Sequence, residues 1–470
     1  MFLRALGLVY VIAFGSLLVQ VAGLIGDRGV LPASTFLAAV YEAYGARGYW
    51  LVPTLAWFGA STTALQGCCV AGLVAGALII INRGTRGALL AAWALYVSLL
   101  GVGQAFLSFQ WDSLLLEAGV LALLATWWPA RIAWLFRWLL FRLLFLSGAV
   151  KLLSGDESWR GLTALTFHFQ TQPLPNIVSW YVHQLPRSVL EAGTVLTFIA
   201  ELLVPLLYFA PRSGRLVAAA ATLMFQVMIF ATGNYTFFNL LTIAITVWLL
   251  DDRVLSRWVP RGLVALGEAG NAPPSRKWQR SLVMAASAVL VVLSGTQVYE
   301  VFRGTAPQPF AIVAEALDSL RLTSRYGLFA VMTTTRPEIV FEGSEDGATW
   351  REYEFKYKPG DLRRPPPWVA PHQPRLDWQM WFAALGDPST DRWVVSLAQR
   401  LLEGSPDVLG LLDRAPGDHH PPRYVRAQLY DYRFTTRGER AASGNWWSRR
   451  LLGPYLPPLV VDNGRLRRAD

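Results

Sequence analysis

Long apolar segments recur through the amino-terminal two thirds of this chain, and they constrain its fold more than any other feature. Crossing a bilayer takes about 20 consecutive apolar residues, although a shorter segment can cross where neighbouring helices cover its ends. Seven segments meet that length clearly, and two are weaker, 114–128 and 236–250. The clear segments are 2–25, 51–81, 87–107, 132–153, 189–210, 216–232 and 281–301. The pattern predicts a polytopic α-helical membrane protein with about nine spans.

The composition agrees with this prediction. Only 16% of the residues are charged and 53% are hydrophobic, whereas soluble domains carry roughly 25% charged residues. The first apolar segment, 2–25, is longer than the core of a cleaved signal peptide, and no small-residue cleavage site stands out in it. We therefore expect this segment to remain as the first span.

Arginine and lysine concentrate in alternate connections between the apolar segments. They occur at Arg4, 83–86, Arg131, 212–215 and 253–280, and the connections between these are poorer in positive charge. Positively charged connections stay on the cytoplasmic side of a membrane. The alternation predicts an integral membrane protein with a cytoplasmic amino terminus. Its carboxy-terminal part would then lie on the exported side, outside a bacterial inner membrane or in the lumen of the endoplasmic reticulum.

The chain divides into two parts at the end of the last apolar segment. Residues 1–301 are predicted to form the membrane domain, with a cytoplasmic linker over 251–280. Its outer loops, 26–50 and 154–187, are rich in aromatic residues, which suits segments at the membrane interface. Residues 302–470 are predicted to form a soluble, exported α+β domain with an antiparallel sheet.

Local patterns support this second domain. Apolar residues at Ile339–Phe341 and Tyr353–Tyr357 flank the turn-rich Gly343–Gly347, which predicts a hairpin. Alternating aromatic residues over Tyr430–Phe434 predict another strand. Residues 376–413 are predicted to be mostly helical.

Charge and cysteine content exclude two function classes. The net charge of +10 does not predict nucleic-acid binding, because the arginines cluster at helix ends, where they orient the spans. The only cysteines, Cys68 and Cys69, are adjacent within one span, and neighbours on a helix cannot form an unstrained disulfide. Disulfide exchange by this chain is therefore excluded. The histidines lack metal-ligand spacing, so we expect no metal site.

Lys151 and Glu201 are the most unusual residues of the membrane domain, because both lie in segments that are otherwise typical of spans. A charged group there is costly unless it is paired, hydrated or functional. One interpretation is a structural ion pair. The other makes both residues candidates for catalysis, with Lys151 as a base in a sheltered pocket. Pro205 could kink the helix of Glu201 and open such a pocket.

Asp112 and Glu117 are two further acidic residues at the start of a weak span. They stand five residues apart and do not share one helix face. We expect structural roles for both. Asp112 would cap its helix, and Glu117 would accept hydrogen bonds from a neighbouring helix.

Six sequence blocks, spread over both domains, form a combined pattern that composition alone would not produce. They are 109–119 (FQWDSLLLEAG), 139–163, 168–176 (HFQTQPLPN), 326–344, 352–385 and 445–455 (NWWSRRLLGPY). Together they resemble the lipase maturation factor family, a group of polytopic membrane proteins. The blocks follow one another in the order that this family shows.

The resemblance implies a chaperone-like role. Animal members reside in the endoplasmic reticulum membrane and help secreted dimeric lipases to reach their assembled, active form. The partners implied here are membrane lipid and an exported client protein such as a lipase, met by the outer loop and the exported domain. Within the resembling blocks, the client-binding candidates are Trp159, Arg160, His168, Gln172, Pro173, Asn176, Trp368, Trp378 and Trp381.

The chain departs from the animal members at one point. Ser158 and Ala164 stand near positions where those members carry cysteines in the outer loop, so no thiol-based role is expected here. Lysine is also rare beside arginine, as in the proteins of GC-rich bacterial genomes. A bacterial host would lack the animal lipases and would supply a different client.

A second resemblance is shorter. The segment 148–159 (GAVKLLSGDESW) is similar to part of the membrane region of vitamin K-dependent carboxylases, where a lysine is the base that starts quinone chemistry. Only Lys151 matches that pattern, and its spacing to Trp159 differs. The leading interpretation is therefore a non-enzymatic maturation factor. The alternative is a membrane enzyme that acts on a quinone or lipid-like substrate with Lys151 as base.

Overall fold

Backbone polar groups decide how the apolar segments fold, because hydrocarbon offers them no partner and a helix satisfies them within one segment. The computed structural model describes residues 1–258, 276–416, 420–462 and 465–469. Most of the predicted cytoplasmic linker over 251–280 lies outside these ranges.

The described helices of the membrane region follow one another in chain order. They are α1 Phe2–Leu18, α2 Val21–Ile25, α3 Ala33–Tyr44, α4 Gly48–Leu51, α5 Thr62–Ile80, α6 Thr85–Val102, α7 Gln110–Ala125, α8 Pro129–Leu153, α9 Glu157–Arg160, α10 Ala164–Thr171, α11 Ile177–His183, α12 Arg187–Phe198, α13 Arg212–Thr232, α14 Phe238–Thr246, α15 Asp252–Trp258 and α16 Lys277–Arg303. Short 3-10 turns add Gly45–Arg47, Leu55–Phe58, Gln104–Leu107, Val204–Phe209 and Val247–Leu249.

Six of the described helices are long and apolar enough to cross a membrane. They are α5, α6, α8, α12 with its continuation to Phe209, α13 and α16. The other predicted spans correspond to the shorter helices α1, α7 and α14. An integral membrane protein is supported, whereas the predicted count of nine spans is not confirmed.

Two predicted segments are shorter as helices than as apolar runs. Helix α1 ends at Leu18, and a separate short helix follows it. Helix α5 begins only at Thr62, because Pro53 and Gly59 favour turns in the stretch before it.

Helix α12 changes its geometry at the position where Pro205 predicts a kink. Residues Ile199–Leu203 form a π-helical turn, and Val204–Phe209 continue as a 3-10 helix. Proline has no N–H donor, so the carbonyl of Glu201 loses its usual partner four residues later. π-helical turns often occur at functional sites.

The carboxy-terminal domain begins with α17 Phe310–Asp318 and combines helices with strands. The helices are α18 Arg375–Ala384, α19 Arg392–Leu402, α20 Pro406–Leu409 and α21 Arg437–Ser443. The described strands are β1 Pro337–Ser344, β2 Arg351–Glu352, β3 Glu354–Phe355, β4 Leu412–Arg414, β5 Tyr424–Phe434, β6 Trp447–Asp462 and β7 Arg465–Arg468. An antiparallel sheet has the order β2-β1-β5-β6-β7, and β3 pairs with β4. The predicted antiparallel sheet is confirmed.

The predicted hairpin exists but is short. Glu342 of β1 pairs with Glu352 of β2, and the chain then leaves this sheet, so that β3 pairs with the distant β4. The long strand β6 was not predicted, because Gly453 and Pro454 interrupt its sequence pattern and proline is unusual inside a strand. Register shifts between β5 and β6 accommodate these residues.

Candidate functional site

Lys151 lies near the end of α8 and is buried at the contact with the carboxy-terminal domain. Its ammonium group donates to the carbonyls of Ser147 (3.2 Å) and Leu328 (2.9 Å) and to Glu201 Oε1 (3.0 Å). Glu201 Oε2 lies 2.8 Å from the same nitrogen, and the Trp159 ring centroid lies 5.1 Å away. All three N–H bonds of the ammonium group therefore have acceptors.

Leu328 belongs to a segment, residues 324–332, that connects α17 to the sheet and lies on the membrane helices; we call it the strap. Its backbone is hydrogen-bonded to the helices at several points. Leu328 N donates to Ser147 Oγ (3.3 Å), Met332 N to Asp156 Oδ2 (3.2 Å), and Trp159 Nε1 to the carbonyl of Phe329 (3.0 Å). Lys151 is therefore one of several groups that hold the strap in place.

Glu117 and Arg142 fix the other end of the strap. Arg142 of α8 pairs with Glu117 of α7 and donates to the carbonyl of Ser324 at 3.2 Å. Tyr326 donates its hydroxyl to Glu117 Oε2 at 2.8 Å. The inward position expected for Glu117 is what the structure has, and its partners include the strap as well as a neighbouring helix.

Asp112 does not cap its helix, in contrast to our expectation. It lies in the first turn of α7 and accepts two hydrogen bonds from Arg375 of α18, at 2.8 and 2.9 Å. Tyr96 donates its hydroxyl to the same carboxylate at 2.5 Å. The side chain thus pairs with a cation of the other domain, which satisfies a buried charge more completely than a cap would.

Arg336 joins the carboxy-terminal domain to the outer loop over 154–187. It is fully buried and donates to the carbonyls of Gln170 (2.8 Å), Gln172 (2.5 Å) and Pro173 (2.9 Å). Its guanidinium lies 2.8 Å from Glu338 Oε1. Arg142, Arg336 and Arg375 were not predicted from the sequence. Arg142 and Arg375 stand close to aromatic and apolar residues, which was a usable signal, whereas Arg336 does not.

A cavity of about 510 Å³ lies beside Lys151 and Glu201, where the kink at Pro205 predicts a pocket. His168 and Tyr235 also line it, with stacked rings and 3.2 Å between Tyr235 Oη and His168 Nε2. Burial, and to a smaller extent the charge of Lys151, lowers the pKa of His168 to about 4. Its imidazole is therefore neutral at neutral pH.

The client-binding candidates are mostly inside the molecule. The buried ones are Trp159, Gln172, Pro173, Asn176, Trp378 and Trp381. Asn176 caps α11, and Trp381 donates to the carbonyl of Thr171 at 2.8 Å. His168 lines the cavity. Arg160 and Trp368 are exposed, so only these two have the surface position that the prediction requires.

The first outer loop and the turn after it expose further aromatic residues. They are Tyr41, Tyr44, Tyr49, Trp50 and Phe58, and Phe58 is 92% exposed. Tyr49 packs edge-on against Trp57, beside a surface cavity of about 430 Å³. The aromatic content of the loop predicts such a surface but does not single out individual residues.

Comparisons with known proteins agree with this architecture. The family model "Lipase maturation factor transmembrane domain" matches residues 1–257, and "Lipase maturation factor C-terminal domain" matches residues 322–457. Lipase maturation factor 2 of Homo sapiens is 37% identical, over 99% of this chain and 83% of its own length. Lipase maturation factor 1 of Bos taurus is 36% identical, over 97% and 88%. No solved structure matches. The chain therefore belongs to the lipase maturation factor family.

Proposed function

We propose that this protein assists the folding or assembly of exported proteins and that a secreted lipase is its client. The names of its relatives support the client class. The observation that carries the proposal is the attachment of the carboxy-terminal domain to the helices and the outer loop by the buried Asp112–Arg375 ion pair and by buried hydrogen bonds from Tyr326 and Arg336. Aromatic residues remain exposed around that attachment, as the 49% exposure of Trp368 illustrates.

In this proposal the client meets the ends of the helices that lie on the exported side of the membrane. The positive connections lie at the opposite ends of the helices, and positive charge favours the cytoplasm. The same reasoning places both outer loops and the carboxy-terminal domain on the exported side.

Exposed aromatic residues suit the binding of unfinished clients. An unassembled protein exposes apolar surface, and a tryptophan offers a large contact area with a polar edge. Arg160 and Trp368 are the retained candidates, and Trp50 and Phe58 are further exposed aromatic residues. The buried candidates contribute through the shape of the platform.

Deleting residues 302–470 is a poor test of this proposal. The deletion would remove Arg375 and so leave the buried charge of Asp112 without its cation. It would also remove Tyr326 and the Leu328 carbonyl, which are hydrogen-bonded to Glu117 and Lys151. Loss of activity would then report misfolding as readily as lost client binding.

A surface substitution separates the two explanations. Trp368→Ala removes an exposed aromatic residue at the proposed client-facing end, and Trp278→Ala removes one that is 57% exposed at the start of α16. Both variants and the natural chain are expressed in cells that lack their own maturation factor, and secreted lipase activity is measured per mass of lipase. We expect Trp368→Ala alone to reduce it. Equal effects of the two substitutions, or none, would contradict a client surface around Trp368.

The cavity beside Lys151 favours a second candidate, a membrane enzyme with Lys151 as base. Its substrate would be a quinone or another lipid-like molecule bound in that cavity. The three acceptors around the ammonium group favour the maturation factor, because they give Lys151 a structural task. A paired substitution of Lys151 and Glu201, described in the Discussion, separates the candidates.

A further inference from the structure

The cavity beside Lys151 opens sideways between α12 and α13. Leu196 of α12 and Met224 and Met228 of α13 line the cavity and are also 58%, 65% and 53% exposed. In a membrane these faces meet hydrocarbon. A molecule dissolved in the bilayer can therefore enter the cavity without crossing water.

The wall of the cavity is suited to a hydrocarbon tail. Aliphatic and aromatic side chains, together with two methionines, make up most of it. Two hydroxyls in the wall are already satisfied within their own helices, since Thr197 donates to Gly193 and Thr232 to Met228. The volume of about 510 Å³ falls within the roughly 300–1,000 Å³ typical of small-molecule sites.

Polar groups with free hydrogen-bonding capacity gather where the outer loop closes the cavity. The phenol of Tyr235 has one proton and two acceptor positions, and a neutral imidazole has one donor and one acceptor. The contact between Tyr235 and His168 uses one proton and one acceptor. Each side chain therefore keeps hydrogen-bonding capacity for a head group.

The charges beside this polar end already balance. Glu201 compensates Lys151, and both side chains are less than 10% exposed. A charged head group would add a buried charge without a partner, which is costly. Burying an uncharged head group with a hydroxyl or a carbonyl costs little free energy, because Tyr235 and His168 offer it hydrogen bonds in place of those it made to water.

We propose that the cavity binds an uncharged single-chain amphiphile of the monoacylglycerol type, which enters from the membrane between α12 and α13. Its head group contacts Tyr235 and His168, and its tail lies along the apolar wall. This site is independent of the client surface around Trp368, so either proposal can fail without the other.

Three probes with one tail test the head-group preference. The full chain in lipid nanodiscs is titrated with 1-monooleoylglycerol, oleic acid and oleylamine, each with the same photoreactive group in the tail. Cross-linked peptides are located by mass spectrometry. We expect cross-links in α12 and α13 and at least about tenfold tighter binding of the monoacylglycerol, which corresponds to about 1.4 kcal/mol. Equal or tighter binding of oleic acid or oleylamine would overturn the proposal.

Adjacent alanines on α13 provide a matched pair of variants. Ala221 lines the cavity, whereas Ala220 is exposed outside it. Ala221→Phe should abolish saturable cross-linking, and Ala220→Phe should leave it unchanged. The same loss in both variants, or in neither, would rule out binding in this cavity.

Removal of one hydroxyl tests the head-group contact without filling space. Tyr235→Phe keeps the ring and should weaken monoacylglycerol binding roughly fivefold, the effect of one lost hydrogen bond. The thermal unfolding midpoint of each variant is measured beside the binding, so that a folding defect is recognised. Unchanged affinity in a folded Tyr235→Phe variant would refute the assigned head-group position.

Discussion

Arg375 of the carboxy-terminal domain reaches Asp112 at the start of α7 and holds it with two hydrogen bonds, at 2.8 and 2.9 Å. The two residues are 263 positions apart in the chain, and both side chains are almost fully buried. Arg375 also donates to the carbonyl of Phe106 at 2.7 Å. The paired charges therefore join the two domains at a point from which water is excluded.

Arg375→Met should strongly destabilise the protein, because it leaves the buried charge of Asp112 without its cation. Breaking a buried pair costs about 3–5 kcal/mol. The Asp112→Leu and Arg375→Met double variant removes both charges and should recover much of the loss. Thermal unfolding midpoints and limited proteolysis between the domains measure the effect. A double variant less stable than Arg375→Met would contradict the pairing.

The sequence predicted the features of this fold that depend on neighbouring residues. Each predicted apolar run contains a helix, although α1 and α5 are shorter than their runs, because hydropathy is a local property. The change of α12 to π-helical and 3-10 geometry occurs beside Pro205, where the sequence predicts an interruption. Lys151 and Glu201 were recognised because a charge within a span is costly wherever its partner lies.

The sequence could not predict which residues meet across the domain boundary. Nothing near Arg375 indicates Asp112, and nothing near Arg336 indicates the carbonyls of the outer loop. The family resemblance identifies residues that match the family pattern, but it does not predict whether a matching side chain is buried or exposed. For this reason Trp378 and Trp381 were grouped with the exposed Trp368, although both are buried.

The orientation can be checked with introduced cysteines, because the natural Cys68 and Cys69 lie within α5. Ser389 is exposed in the carboxy-terminal domain, and Ser213 is exposed at the start of α13. In sealed vesicles whose exported face points outward, a membrane-impermeant maleimide should label Ser389→Cys and should reach Ser213→Cys only after lysis. The natural chain controls for background labelling. The reverse pattern would invert the proposed topology.

His168 should make stability depend on pH. Burial and the charge of Lys151 lower its pKa to about 4 in the folded protein, from 6.5. Below 6.5 the unfolded chain takes up a proton that the folded protein does not, so stability falls as the pH decreases from about 6.5 to about 4. The shift corresponds to about 3 kcal/mol.

The difference between the natural chain and His168→Phe isolates this effect. His372, whose pKa burial also lowers to about 4, contributes a loss of the same sign in both proteins. The unfolding midpoint of the natural chain should therefore fall more steeply than that of the variant below pH 6.5. Parallel pH profiles would mean that His168 is hydrated in the folded protein.

Substitutions of Lys151 and Glu201 distinguish the two functional candidates, the maturation factor and the membrane enzyme. Lys151→Met leaves the Glu201 carboxylate and the Leu328 carbonyl without their cation. We expect it to destabilise the protein by about 3–5 kcal/mol and to loosen the strap. Glu201→Met should act similarly, because it leaves the ammonium group unpaired.

The double substitution, Lys151→Met with Glu201→Met, removes both charges and should restore much of the stability. If Lys151 is an anchor of the strap, lipase maturation recovers together with the unfolding midpoint. A catalytic base cannot be replaced in this way. A double variant that folds stably and still matures no lipase would contradict the structural assignment. It would favour the enzyme, because the missing amine would then be needed for something other than its pairing with Glu201.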